Sequence, residues 1–268
     1  MINTVYRLVA PRRFEIAFED IDLFGDNAIV RPTNLSICNA DMRYYLGTRD
    51  AKVLAEKLPQ DINMNVAAFT EIVSVAVHAI SRFDKIAHAR RDTIGVWGDG
   101  NLAYIVSLFL KKTFPDSKVY VFGLNDDKLA DFTFADGAYK TTEVPEGFTM
   151  DHAFECVGGN GSPIAIEQII GLIKPEATLS ILGVSEYPVP INTRMILEKG
   201  LRVFGSSRSG VADFEKTVQM YQQYPEIIDY LGNLISSVNV VRTTTDIKQA
   251  FEKDTQKAFG KTIMVWQE

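Results

Sequence analysis

Cysteine and histidine are scarce in this chain. Two cysteines, Cys38 and Cys156, stand among 268 residues. Lying in different segments, they build no disulfide framework. The three histidines, His78, His88 and His152, lie apart. None has a neighbour at metal-ligand spacing, so the sequence assigns them no role. His78 reads as a packing histidine of a helix. His88 reads as part of a solvated basic helix end with Arg90 and Arg91, and His152 opens a strand. Basic blocks are also missing. With a net charge of −6, sequence-independent nucleic-acid binding is excluded as an expectation. The longest uncharged apolar run, around 72–80, is too short to span a bilayer. The N-terminus lacks the basic, apolar and small-residue order of a secretory signal. No internal repeat or low-complexity linker interrupts the chain. These absences predict a soluble cytoplasmic protein with neither membrane nor nucleic acid as partner.

What is present is an ordinary globular composition, 46% hydrophobic and 23% charged. The length allows one large domain or two smaller ones. The most informative stretch is Thr93-Ile-Gly-Val-Trp-Gly98-Asp-Gly100-Asn101-Leu102-Ala103. A β-type run ends in Gly-x-Gly-x-x-Ala, an apolar helical pattern follows, and a second β run, Lys118-Val-Tyr-Val-Phe122, comes next. In this βαβ context the glycine motif predicts a dinucleotide site. Gly98 permits the tight turn, Gly100 lets a pyrophosphate approach the backbone, and Ala103 lets the helix pack close to the strand. The helix N-terminus, with Asn101 and Leu102, offers N–H donors and a partial positive charge.

The end of the second strand reads Phe122-Gly123-Leu124-Asn125. NAD sites usually carry an acid there to bond the ribose 2′-hydroxyl. Gly123 leaves room, Asn125 and Lys128 are donors, and NADP(H) is the predicted cofactor. Asp126 and Asp127 argue weakly against it unless they cap the short helix that begins there, which is the preferred reading.

Residues 1–58 read as β-rich, with strands over 14–18 and 28–32, a loop carrying Cys38, and a charged helix over 50–57. One long helix is predicted over 66–83. Strands near 93–97, 118–122, 151–156, 177–182 and 201–205 then alternate with helices near 101–114, 161–173, 192–199 and 211–222. Such alternation predicts an α/β fold with a doubly wound parallel sheet, ligands lying at the carboxyl ends of its strands. Those ends bring Cys156, Val157, Gly183, Ser206 and Ser207 to the cofactor. Two more helical stretches and a final strand over 261–266 are predicted in 224–268.

Before the sheet, Cys38 is either a zinc ligand or a buried small apolar residue. Asp41 is a carboxylate able to orient such a site. Glu71, in an otherwise apolar helix, is either a second ligand or a surface acid near a helix N-terminus. Arg43, Tyr44 and Tyr45 either contact an anionic substrate or pack at a rim.

Taken together, Cys38-x-x-Asp41, Thr70-Glu71 with His78-Ala79, Gly98-x-Gly100-x-x-Ala103, Glu155-Cys-Val-Gly-Gly159, Leu182-Gly-Val184, Gly205-Ser-Ser207 and Phe259-Gly-Lys261 resemble the zinc-dependent medium-chain alcohol and polyol dehydrogenases. More narrowly, Tyr6-Arg-Leu-Val-Ala-Pro11, Arg43-Tyr-Tyr45, the stretches 94–102 and 151–159, Glu198-Lys-Gly200 and 205–210 are similar to the ribulose-5-phosphate reductases of ribitol teichoic acid synthesis. The resemblance implies NADPH-dependent reduction of D-ribulose 5-phosphate to D-ribitol 5-phosphate, which feeds CDP-ribitol formation with a cytidylyltransferase as functional partner. It implies Cys38 and Glu71 as zinc ligands with Asp41 behind the cysteine, and a homodimer. Arg43 and Arg208 are the candidates for the substrate phosphate. It implies a Rossmann cofactor domain over 79–207 and a β-rich GroES-like catalytic domain over 1–78 and 208–268. Three family features are missing. Ala40 stands where many relatives carry a proton-relay hydroxyl, and the cysteine-rich structural zinc loop is absent. The Gly-His-Glu segment that completes the zinc site should fall where Lys57-Leu-Pro59 meets Gln60. Several dozen residues are therefore expected to be missing near 59–61, with a break in the chain between Leu58 and Asp61 and an incomplete barrel.

Overall fold

The computed structural model describes residues 2–20, 34–37, 62–257 and 259–267. The strand expected over 28–32, the helix over 50–57, the break at 58–61, and Cys38, Ala40, Asp41, Arg43, Tyr44 and Tyr45 lie outside the described residues. The chain forms two compact units, Met1–Phe69 with Ile228–Glu268, and Thr70–Ile227.

The first unit opens with an antiparallel hairpin of β1 (Ile2–Ala10) and β2 (Arg13–Asp20). Its turn places Arg12 at φ 59. A separate sheet has the order β10-β11-β3, from β10 (Ile235–Val241), β11 (Lys261–Trp266) and β3 (Asn34–Ser36). β10 and β11 run parallel and β3 is antiparallel to β11. The crossover between the parallel strands is a helix, Thr244–Gln256, started by a capping box of Thr243 and Asp246. Its Ile247, Ala250 and Phe251 pack with Ile37, Val241 and Met264 in one apolar core. No closed barrel forms among the described residues.

The helix expected over 66–83 is two helices. α1 (Met64–Ala67) ends in a tight turn, and α2 (Thr70–Ile86) begins three residues on. The turn is closed by Phe69 N–H donating to the Val66 carbonyl at 2.9 Å, and Phe69 is wholly buried. Neither Gly nor Pro marks the break, so apolar periodicity runs straight through it.

The second unit holds a six-stranded sheet of order β6-β5-β4-β7-β8-β9. The strands are β4 (Thr93–Trp97), β5 (Lys118–Gly123), β6 (Gly137–Lys140), β7 (Met150–Glu155), β8 (Ile173–Ile181) and β9 (Arg202–Gly205). Every neighbouring pair is parallel. This is the doubly wound dinucleotide-binding order, with its switch point between β4 and β7. In this sheet β6 is the strand that sequence reading missed, since four residues opening on glycine carry little β signal; in the first unit β10 was missed too, within a tail read as helical before its last strand. The helices of the second unit after α2 are α3 (Asn101–Thr113), α4 (Asp126–Leu129), α5 (Ser162–Leu172), α6 (Thr193–Glu198) and α7 (Val211–Gln223), and the chain re-enters the first unit within α8 (Glu226–Gly232). β7 is buried at every position. Trp97 and Phe122 stack at 4.1 Å between ring centroids, and Trp97 Nε1 donates to Gln168 Oε1 at 2.8 Å.

His88 is not on a solvated helix end. Its ring packs 4.3 Å from that of His152, and its Nε2 is buried. His152, which is wholly buried, lies inside β7. His78 pairs with Asp213 at 2.9 Å, a packing role as expected.

Candidate functional site

Because all six strands are parallel, their carboxyl ends share one edge of the sheet. The turn after β4 carries Gly98 at φ 126, and a Cβ there would stand 3.1 Å from the Cys156 carbonyl oxygen and 3.3 Å from the Ala103 Cβ. Both the backbone angle and the packing therefore require glycine, and Ala103 is the small residue that lets α3 come close. Gly100 is the N-cap of α3 and gives it no side-chain hydrogen bond. A Cβ at Gly100 would meet nothing within 4 Å. The open space lies over a thirteen-residue helix N-terminus, where an anion is favoured by the helix dipole. The residues present thus fit a dinucleotide pyrophosphate.

Neighbouring tips are bonded to one another. Gly98 N–H donates to Phe122 O and Cys156 N–H to Trp97 O, each at 2.8 Å. Glu155, wholly buried at the end of β7, accepts from Val157 N–H at 3.0 Å and Gly158 N–H at 2.8 Å through Oε1, and from Gly183 N–H at 3.0 Å through Oε2. One carboxylate thereby holds two strand tips together. Cys156 is buried, and burial, followed by the adjacent Glu155 charge, pushes its thiol above the ordinary range. It shapes the tip rather than acting as a nucleophile. Val157 is exposed, and Ser206 and Ser207 follow β9. Arg208 is exposed at φ 64.

The tip of β5 differs from the sequence reading. No carboxylate was expected there, yet Asp99 reaches across from the glycine turn. Its Oδ2 accepts from Leu124 N–H at 2.8 Å and Asn125 N–H at 3.0 Å. Asp126 and Asp127 do not cap α4. Asn125 is the cap, its Oδ1 accepting from Lys128 N–H at 3.1 Å, while both aspartates lie in the first turn and Asp126 pairs with Lys140. Lys128 is half-buried on α4. Asp99 and Glu155 are the residues that sequence reasoning missed as tip organisers. The available signals were an acid inside a Gly-x-Gly turn and an acid closing an apolar strand.

Glu71 lies in the first turn of α2 and is exposed, a favourable place for negative charge. Of the implied zinc ligands it alone is described. Among the described residues no three His, Cys, Asp or Glu side chains converge on a metal position, whereas a catalytic zinc takes three protein ligands. The described donors do not by themselves fit the metal.

A parallel sheet of this strand order, with a glycine turn at the switch point and an open helix N-terminus, is the cofactor-binding half of a dehydrogenase. Residues 118–223 match the family described as zinc-binding dehydrogenase. The chain is 43% identical to the ribulose-5-phosphate reductase of Bacillus spizizenii, covering 100% of both sequences. It is 40% identical to ribulose-5-phosphate reductase 1 of Staphylococcus aureus over 99% of each. The crystal structure of S. aureus TarJ in complex with NADPH superposes with a TM-score of 0.93 at 42% identity, over 100% of both chains. The chain belongs to the medium-chain zinc-binding dehydrogenases, among the ribulose-5-phosphate reductases. The Bacillus alignment runs over 340 positions against 268 residues here, a difference of 72, so the relative carries several dozen residues that this chain lacks.

Proposed function

We propose that this protein reduces D-ribulose 5-phosphate to D-ribitol 5-phosphate with NADPH, supplying the polyol phosphate for CDP-ribitol and teichoic acid precursors. The observation that carries the reading is the open N-terminus of α3 behind Gly98 and Gly100, in a chain 43% identical to a ribulose-5-phosphate reductase along its whole length. Bound NADPH supplies a hydride; with one proton, the ketone becomes an alcohol and NADP+ is left. Gly100 and the first turn of α3, with Asn101 and Leu102, receive the pyrophosphate. Asn125 and Lys128 face the 2′-phosphate, Gly123 leaves room at that tip, and Cys156, Val157, Gly183, Ser206 and Ser207 line the remaining tips. Arg43 and Arg208 are the proposed cations for the substrate phosphate.

Zinc is the proposed metal, with Cys38 and Glu71 as ligands and Asp41 behind the cysteine. The proposed division is a cofactor domain over 79–207 and a catalytic domain over 1–78 and 208–268. A homodimer, a cytoplasmic location and a cytidylyltransferase downstream complete the proposal. No described helix is long and apolar enough to cross a membrane. The test is NADPH oxidation, followed spectroscopically, with ribulose 5-phosphate against ribulose and xylulose 5-phosphate. Turnover confined to ribulose 5-phosphate is expected, and equal turnover of the unphosphorylated ketose would refute the substrate. The several dozen residues present only in the relative favour a second reading, a protein that binds NADPH without turnover. Cofactor binding with no ketose reduction would establish it.

A further inference from the structure

Asp99 stands between the two glycines of the turn after β4 and is half-buried. Its side chain fills the space beside Gly123. A Cβ on Gly123 would lie 2.7 Å from the Asp99 Cβ and 3.0 Å from Oδ2. Its Oδ2 receives two backbone N–H groups of the β5 tip, from Leu124 at 2.8 Å and Asn125 at 3.0 Å. In this fold the residue that reads the adenosine ribose is ordinarily an acid at the end of that strand. Here the strand ends in glycine and the acid arrives from the neighbouring turn.

We propose that Asp99 is a specificity-determining residue for the dinucleotide. Its carboxylate occupies the paired tip amides and limits the preference for a 2′-phosphorylated cofactor over an unphosphorylated one. The inference rests on the dinucleotide reading above. Successive backbone N–H groups converging on one oxygen form an anion position, and in this protein the anion is internal. A 2′-phosphate brought to the same tip meets that fixed negative charge. The cation opposing it is Lys128 on α4, since Lys140 is already paired with Asp126. Selectivity is then a balance between Lys128 and Asp99, which sequence reading of the strand end alone could not contain.

The test is calorimetric titration of wild type and Asp99→Asn with two ligand pairs, NADPH against NADH and 2′,5′-ADP against 5′-AMP. Asparagine keeps the shape and an acceptor oxygen for the tip amides but removes the charge. NADPH and 2′,5′-ADP should tighten by about three- to thirtyfold at low salt, as expected for losing one nearby like charge in a partly wet site. NADH and 5′-AMP should change little, and the gain should shrink in high salt. Asp99→Ser, which also keeps an acceptor oxygen, is measured beside it and should give the same sign. Equal changes within each pair, or selective loss of the phosphorylated ligands, would overturn the role of Asp99. Wild-type protein that binds none of the four ligands would overturn the dinucleotide reading itself.

Discussion

Gly183 is closed to any side chain by the carboxylate of Glu155. A Cβ on Gly183 would stand 2.5 Å from Oε1 and 2.6 Å from Oε2, and 2.3 Å from Gly158 N. The contact is possible because the Gly183 N–H donates to that same carboxylate. The ends of β7 and β8 are thus locked by one buried acid and one missing side chain.

Glu155→Gln should lower stability by about 2 to 3 kcal/mol, since a buried amide NH2 would then face a backbone N–H with no acceptor between them. Gly183→Ala should cost at least as much through overpacking. Urea unfolding reads both. Dinucleotide affinity should fall in parallel, because the displaced tips belong to the cofactor edge.

Stability should fall as the medium is acidified, through His152. Its Nδ1 accepts from Thr178 N–H at 3.0 Å, which leaves the proton on Nε2, 3.0 Å from the Arg90 carbonyl. Burial, then the adjacent His88, lowers its pKa to about 4. Unfolded, it titrates at about 6.5. Between those values the unfolded chain binds more protons, so stability is complete above about pH 6.5 and declines toward pH 4. The slope from this one group approaches about 1.4 kcal/mol per pH unit, to a total of about 3 kcal/mol. Urea midpoints measured from about pH 7 to about pH 4.5 should show this slope in wild type and a shallower one in His152→Gln.

Replacing Gly123 should not create an NADH site. On sequence grounds Gly123→Asp restores the strand-end acid and reverses cofactor preference. In the structure a Cβ there meets Leu129 at 2.9 Å as well as Asp99. Gly123→Ala and Gly123→Asp should therefore weaken NADPH and NADH together, with a stability loss of about 1 to 3 kcal/mol. A clean switch to NADH in titration would contradict this packing.

Lys199 of the Glu198-Lys199-Gly200 motif acts on the fold. Its Nζ donates to the carbonyls of Ile170, Gly171 and Ile173 at 2.6, 3.0 and 2.9 Å, closing the C-terminal end of α5. Lys199→Met should cost about 2 kcal/mol in thermal or urea unfolding, with NADPH affinity retained.

Glu71 separates folding from chemistry. Being exposed, Glu71→Ala should leave stability within about 0.5 kcal/mol. If it is a metal ligand, zinc content by atomic spectroscopy and turnover should both drop, and Cys38→Ser should drop them further, while NADPH binding persists in each. Unchanged turnover in metal-free protein would remove zinc from the reaction.

The sequence by itself determined the dinucleotide-binding class. Alternating β and α periods, Gly98, Gly100 and Ala103, and small residues at the strand tips are local features, and local sterics fix what they can form. Five of the six strands of the parallel sheet were legible for that reason. β6 was not, because four residues led by glycine are held as a strand only by pairing with β5. The break between α1 and α2 was hidden because burial of Phe69, with no breaker residue, ends the first helix. Only the tertiary structure could place Asp99 against the β5 tip, 24 positions along the chain from Gly123 in the order of the residues, or set Glu155 across to Gly183. Hydrogen bonds between tips join residues that are distant in sequence and adjacent only once the strands lie side by side. A strand-end acid can be read from one segment, whereas a carboxylate supplied by the neighbouring turn exists only after β4 and β5 have paired.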